Sequence, residues 1–128
     1  MPPSSARAGM SCVDVKKHET TLCKIAIADE AYVDELLSSE RANLAASTLD
    51  SKTHALVRLG TLIAIDAESP AYMWTIQAAR RAGASDDEIV GCLLAAMPTL
   101  GVARIVAAAP KLALALGFDV SRALESRT

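Results

Sequence analysis

The chain has 128 residues, a formal net charge of -2, 52% hydrophobic residues and only 3% aromatic ones. That length makes one domain able to bury roughly two thirds of its unfolded surface, and the scattered cations exclude a nucleic-acid surface, which needs clustered basic residues. Alanine supplies about a fifth of the chain, which favours helix but leaves few large side chains to fill a core, so a homo-oligomer that shares apolar faces is expected.

Taken in chain order, Met1 to Gly9 has no apolar core and reads as a loose leader, not a secretory signal. Residues 1–12 are expected to be a disordered leader, residues 13–128 one helical domain, and the localisation cytoplasmic. The fold class is all-α, with six to seven helices and no strands. A first helix is predicted over Val13 to Ile27, and Asp29 caps a second from Glu30 to Ala45 with Tyr32, Leu36 and Leu37 on its apolar side. After the Ser47-Thr48-Leu49 link, Asp50 or Ser51 caps a helix from Lys52 to Asp66. Its Leu56, Leu59, Leu62 and Ile63 leave little polar surface, so this helix should be central.

Ser69 to Glu88 carries the clearest punctuation. Ser69 can cap, Pro70 suits a first helical position, Arg80 and Arg81 suit a helix C-terminus, and Gly83 can take a left-handed stop. Ser85-Asp86-Asp87-Glu88 then forms a capping box ahead of the apolar run from Ile89. The acidic trio reads as a helix cap and not a metal site, because no His or further carboxylate stands at ligand spacing. The uncharged run Ile89 to Ala103 is too short to span a bilayer, contains Pro98 and Gly101, and stops at Arg104. Pro98 and Gly101 are expected to interrupt the run and restart it as Val102 to Ala109. Pro110 then bends the helix or begins another through Leu116, Gly117 stops it, and Asp119 caps a last helix from Val120 to Glu125. Three cysteines, Cys12, Cys23 and Cys92, form no Cys-x-x-Cys and read as reduced thiols, with Cys92 a small apolar residue at helical spacing with Ile89, Leu93 and Ala96.

Leu49-Asp50-Ser51-Lys52-Thr53-His54-Ala55-Leu56-Val57, the segment Ala78-Ala79-Arg80-Arg81-Ala82-Gly83-Ala84-Ser85-Asp86-Asp87-Glu88-Ile89, and Ala95-Ala96-Met97-Pro98-Thr99-Leu100-Gly101 together resemble the carboxymuconolactone decarboxylase and alkylhydroperoxidase D-like family, over Leu49 to Leu116. The resemblance implies an all-helical fold assembled as homotrimers or hexamers. It also marks a departure. The peroxidase branch carries a Cys-x-x-Cys where this chain has Glu68-Ser69-Pro70-Ala71, a His where it has Thr75, and a Glu where it has Ala55. A thiol peroxidase needs an attacking thiolate and a resolving partner, so that activity is not expected. The decarboxylase branch also lacks the paired cysteines, and it usually has His at the position of Thr75.

A decarboxylase-like reaction needs cations to hold carboxylates and a group that moves a proton. His54 and Arg58, four residues apart, share a helix face. Arg104 interrupts an apolar segment where a charge needs a partner. Tyr72, Trp74 and Thr75 occupy the stretch where the related proteins place reactive residues. The sharp reading is a pocket in which Arg58 and Arg104 grip a small organic acid, Trp74 and Thr75 line it, and His54 or Tyr72 handles a proton, with no cofactor and no metal. The plainer readings stand beside it: Arg58 pairs with Glu68 or Asp66 or reaches solvent, His54 is a surface residue, Tyr72 and Trp74 are packing or interface anchors, and Arg104 pairs with a neighbouring acid across a subunit contact, Glu68 being one candidate. The functional alternatives are a cofactor-free enzyme on a carboxylated or lactone substrate, and a non-catalytic oligomeric family member that binds a small ligand or serves structure. No nucleic acid or membrane partner is expected.

Overall fold

The computed structural model describes residues 16–127, which form eight α-helices and, among the described residues, no strand. They belong to two compact units, one ending at Thr48 and the other beginning at Leu49. The predicted leader and Cys12 lie outside the described residues.

In the first unit, α1 (Lys17–Ala26), α2 (Glu30–Ser38) and α3 (Glu40–Ser47) pack in sequence, each against the next. The stretch expected as one helix from Glu30 to Ala45 is two, because Ser39 leaves the helical conformation at φ -121° and its hydroxyl accepts from the Ala42 amide at 3.1 Å. A serine that bonds its own downstream backbone competes with helix continuation and starts a new helix instead. Asn43 Nδ2 donates across the break to the Leu36 carbonyl at 3.2 Å. Asp29 caps α2 as expected, accepting from the Tyr32 amide at 3.1 Å. The Lys24 ammonium stands 5.0 Å from the centroid of the Tyr32 ring, within cation–π range. None of the three helices fully buries a residue, and Leu37, expected on the apolar side, is 80% exposed. Cys23 is disulfide-bonded, which corrects the expectation of reduced thiols throughout. Cys92 is free.

The second unit holds α4 (Ser51–Ala64), α5 (Ser69–Arg81), α6 (Asp86–Leu100), α7 (Val102–Leu116) and α8 (Val120–Glu125). Asp50 caps α4 through the Thr53 amide at 2.7 Å, and hydrogen bonding from the Thr53 side chain, then from its amide, holds the Asp50 carboxyl below its ordinary range. Ser85 and Glu88 form the expected reciprocal capping box, with Glu88 N donating to Ser85 Oγ at 3.0 Å and Ser85 N donating to Glu88 Oε1 at 2.9 Å. Gly83 takes the left-handed stop at φ 96°. The start of α5 differs from expectation: Glu68 occupies the cap position without a side-chain bond, and Ser69 and Pro70 both lie inside the first turn. Proline suits either of the first helical positions, since those amides have no helical acceptor.

Pro98 does not end α6, which runs on to Leu100; the break is at Gly101, at φ 84° and ψ 163°. A proline one turn from a helix end removes one bond of the ladder. The unusual Gly101 backbone, open to glycine and closed to most residues, is what redirects the chain. Pro110 likewise sits inside α7, which is one helix from Val102 to Leu116.

Helix α4 packs on α5, α6 and α7, and α5 and α6 also pack on α7. Leu59 and Ile63 of α4, Tyr72 and Ile76 of α5, Ile89 of α6 and Leu112 of α7 are the largest fully buried side chains, and alanines at 55, 79 and 108 fill the closest approaches. Helix α4, expected to be central, thus packs on three of the unit's helices, and α7 packs on all four of the others. Surface pins tie the ends: Lys52 Nζ meets Glu88 at 3.0 Å, and Arg80 bonds both Asp86 and the Leu116 carbonyl. Leu59→Ala is expected to cost about 2–5 kcal/mol of stability, and Ser85→Ala about 1 kcal/mol, both read from denaturant unfolding of the purified protein.

Candidate functional site

The α4–α5 turn is fastened to α7 by charge. Asp66 follows the end of α4 in the left-handed region, φ 54°, and its carboxylate is shared by two cations of α7: Arg104 Nη1 lies 3.3 Å from Oδ2 and Lys111 Nζ lies 3.2 Å from Oδ1. Lys111 Nζ also donates to the Ala67 carbonyl at 3.1 Å, satisfying a backbone group that the turn leaves without a helical donor. Arg104 and Lys111 are seven residues apart, two helical turns, so they rise from one face of α7 and straddle the carboxylate. Two positive charges against one negative leave a cation in excess, on side chains that remain partly open to solvent.

Tyr72, at the start of α5, lies within electrostatic reach of Asp66 and Arg104. Its ring is completely buried, and its hydroxyl, also buried, has no hydrogen-bond partner among the described residues. Burial pushes the phenol pKa up; the Asp66 charge adds to that rise and the Arg104 charge opposes it. A phenol held protonated at neutral pH can donate a hydrogen bond or a proton but cannot serve as a base. A buried hydroxyl without a partner costs about 1–3 kcal/mol, so natural structures rarely keep one without use.

The other sequence-predicted residues separate into different places. His54 is buried near the start of α4. Ten helical steps, roughly 15 Å, divide it from the end of α4 at Ala64, and Asp66 lies beyond that end. Its neighbours Lys52 and Leu56 face the start of α6, through Glu88 and through Cys92 Sγ, which approaches the Leu56 carbonyl at 3.6 Å. Arg58 is exposed on α4, Thr75 is half-buried on α5, and Trp74 is 75% exposed. The structure thus brings Tyr72 within electrostatic reach of Arg104 and places His54 near the opposite end of α4 from the Asp66 turn. Arg104 has the acidic partner its setting demanded, and that partner is Asp66 where Glu68 was a candidate. Lys111 was missed, although the same signal marks it: a lone cation between Pro110 and Leu112 in an apolar helix.

Cys92 is poorly suited to thiol chemistry. Burial, and then the Glu88 charge, push its pKa up, and Sγ also approaches the Glu88 carbonyl at 3.6 Å; a protonated thiol is a weak nucleophile. Among the described residues no group of three or more His, Cys, Asp and Glu side chains stands close enough to hold a metal ion. No helix among them is long and apolar enough to cross a membrane.

The model of the carboxymuconolactone decarboxylase family matches residues 30–113, well over half of the chain. The protein belongs to the carboxymuconolactone decarboxylase family. Comparison with curated proteins and with solved structures returned no significant match. In this family member the positions that the resemblance assigns to the peroxidase cysteines, Glu68-Ser69-Pro70-Ala71, form the entry to α5, one turn before Tyr72.

Tyr72→Phe deletes the unpartnered hydroxyl while keeping the ring, and is expected to raise stability by about 1 kcal/mol at neutral pH. The raised phenol pKa adds a signature at high pH. The folded state holds its proton where the unfolded chain has begun to lose it, so this contribution to stability is whole below about pH 10 and drains away as pH rises through the folded value. Denaturant midpoints for both proteins between pH 8 and 11 check this, with the alkaline loss smaller in Tyr72→Phe.

Proposed function

We propose that this carboxymuconolactone decarboxylase-like protein binds a small carboxylated or lactone substrate at the Arg104–Lys111 cations and acts on it without thiol chemistry or a cofactor. The observation that carries the reading is the buried Tyr72 hydroxyl, unpartnered and next to a surplus positive charge. Arg104 and Lys111 supply the attraction for a carboxylate. Tyr72, protonated at neutral pH, supplies a hydrogen bond or a proton to an oxygen on which negative charge develops, the kind of aid that acts most strongly where water is excluded. Thr75 and Trp74, three and two residues beyond Tyr72, are the further members of the proposed binding region. His54 and Arg58 enter only as groups acting from the other part of α4. The reading excludes a peroxidase relay, since the two positions that the resemblance assigns to cysteine hold Glu68 and Ala71.

The distance of His54 from Asp66 along α4 favours a second reading, in which the site binds a small acid and does no chemistry, because no base has been assigned next to the phenol. Arg104→Gln separates the possibilities from a site-free protein. It is expected to weaken binding of small carboxylates at least about tenfold, as charge-assisted bonds are lost, and to abolish any turnover of carboxylated lactones, measured by calorimetry and by carbon dioxide release. Binding without turnover supports the second reading; binding unaffected by Arg104→Gln would falsify both.

Self-association into a trimer or hexamer belongs to the same proposal. Val90, Leu94 and Met97 recur at helical spacing on α6 and are exposed, as are Val102 and Val106 on α7, and exposed Trp74 has the character of an interface anchor. Light scattering of the purified protein is expected to report a mass of three or six chains; a monomer at micromolar concentration removes this part.

A further inference from the structure

We infer that Asp66 is an internal stand-in for the ligand: its carboxylate occupies the Arg104–Lys111 cations when the site is empty and is displaced when an external carboxylate binds. The inference rests on the anion-binding reading above and adds to it a competitor within the chain. Its basis is geometric. One carboxylate engages two cations through separate oxygens, at 3.3 and 3.2 Å, which is the arrangement a bound organic acid would itself adopt.

The bridge is also poorly placed to serve stability alone. All three side chains remain partly exposed, with Asp66 and Arg104 near two-fifths, and ion pairs of that exposure contribute little to folding. Asp66 meanwhile holds a left-handed backbone, φ 54°, which a residue with a Cβ adopts at some cost. Lys111 also donates to the Ala67 carbonyl, a fastening of the turn that does not involve the Asp66 carboxylate. The ligand class this selects is a monocarboxylate whose single charge replaces the one it displaces.

Benzoate, with uncharged benzamide as control, tests the exchange on the full chain by calorimetry at low salt. Two variants remove the internal carboxylate without opposing the backbone: Asp66→Asn, since asparagine tolerates the left-handed region, and Asp66→Gly, which prefers it. Both are expected to bind benzoate about fivefold or more tightly than the unsubstituted protein, because a like charge next to the bound anion is gone. The gain should shrink as salt rises and disappear when Arg104→Gln is added, while benzamide binding stays the same. If both variants retain native circular dichroism and bind benzoate no more tightly, while Arg104→Gln alone still weakens binding, Asp66 is not a competitor and only the anion site stands. If benzoate binds none of these proteins, or Arg104→Gln leaves its affinity unchanged, the anion site and the exchange fall together.

Discussion

The second unit is organised around the complete burial of one aromatic ring. Tyr72 is among the largest fully buried side chains, in a core otherwise made of leucine, isoleucine and alanine. Burying a side chain of that size is worth roughly 2–3 kcal/mol, and in a chain with two tyrosines, one tryptophan and one phenylalanine few residues can fill the same volume. The ring takes its hydroxyl with it. The group that completes the core is thus also a buried polar atom without a hydrogen-bond partner among the described residues.

What surrounds that atom follows from how the helices are joined. Helix α4 ends where Asp66 turns left-handed, α5 begins three residues later, and α7 crosses both. The short turn brings a carboxylate within electrostatic reach of the phenol, and two cations on α7 converge on it. Charges on an apolar helix are costly unless they find a partner, so Arg104 and Lys111 constrain the register of α7 against the turn. The balance of charge then leaves a cation in excess at the turn.

The departures at helix boundaries share one cause: local signals competing within a single segment. Ser39 lies in a run of good helix formers, yet its hydroxyl finds the Ala42 amide and divides the helix. Pro98 and Pro110 look like breaks, but a proline removes only one donor, and helices held on both sides by packing tolerate that loss. Gly101 is the real break because its backbone enters a region from which other residues are largely barred. Ser69 yields the cap position to Glu68 since either register leaves Pro70 in the first turn.

Helix type and most helix ends were legible from residues alone, since caps such as Asp50, Ser85 and Asp119 and stops such as Gly83 and Gly117 act within a few residues of themselves. The need of Arg104 for an acidic partner was legible too, because an isolated charge in an apolar helix states its own requirement. Which acid answers it was not: Asp66 precedes Arg104 by thirty-eight positions, and only the crossing of α7 over the α4–α5 turn selects it over Glu68. The same crossing recruits Lys111, traps the Tyr72 hydroxyl and leaves His54 at the far part of α4. Spacing along one helix sets which residues share a face, whereas the meeting of faces from different helices depends on packing the whole core at once.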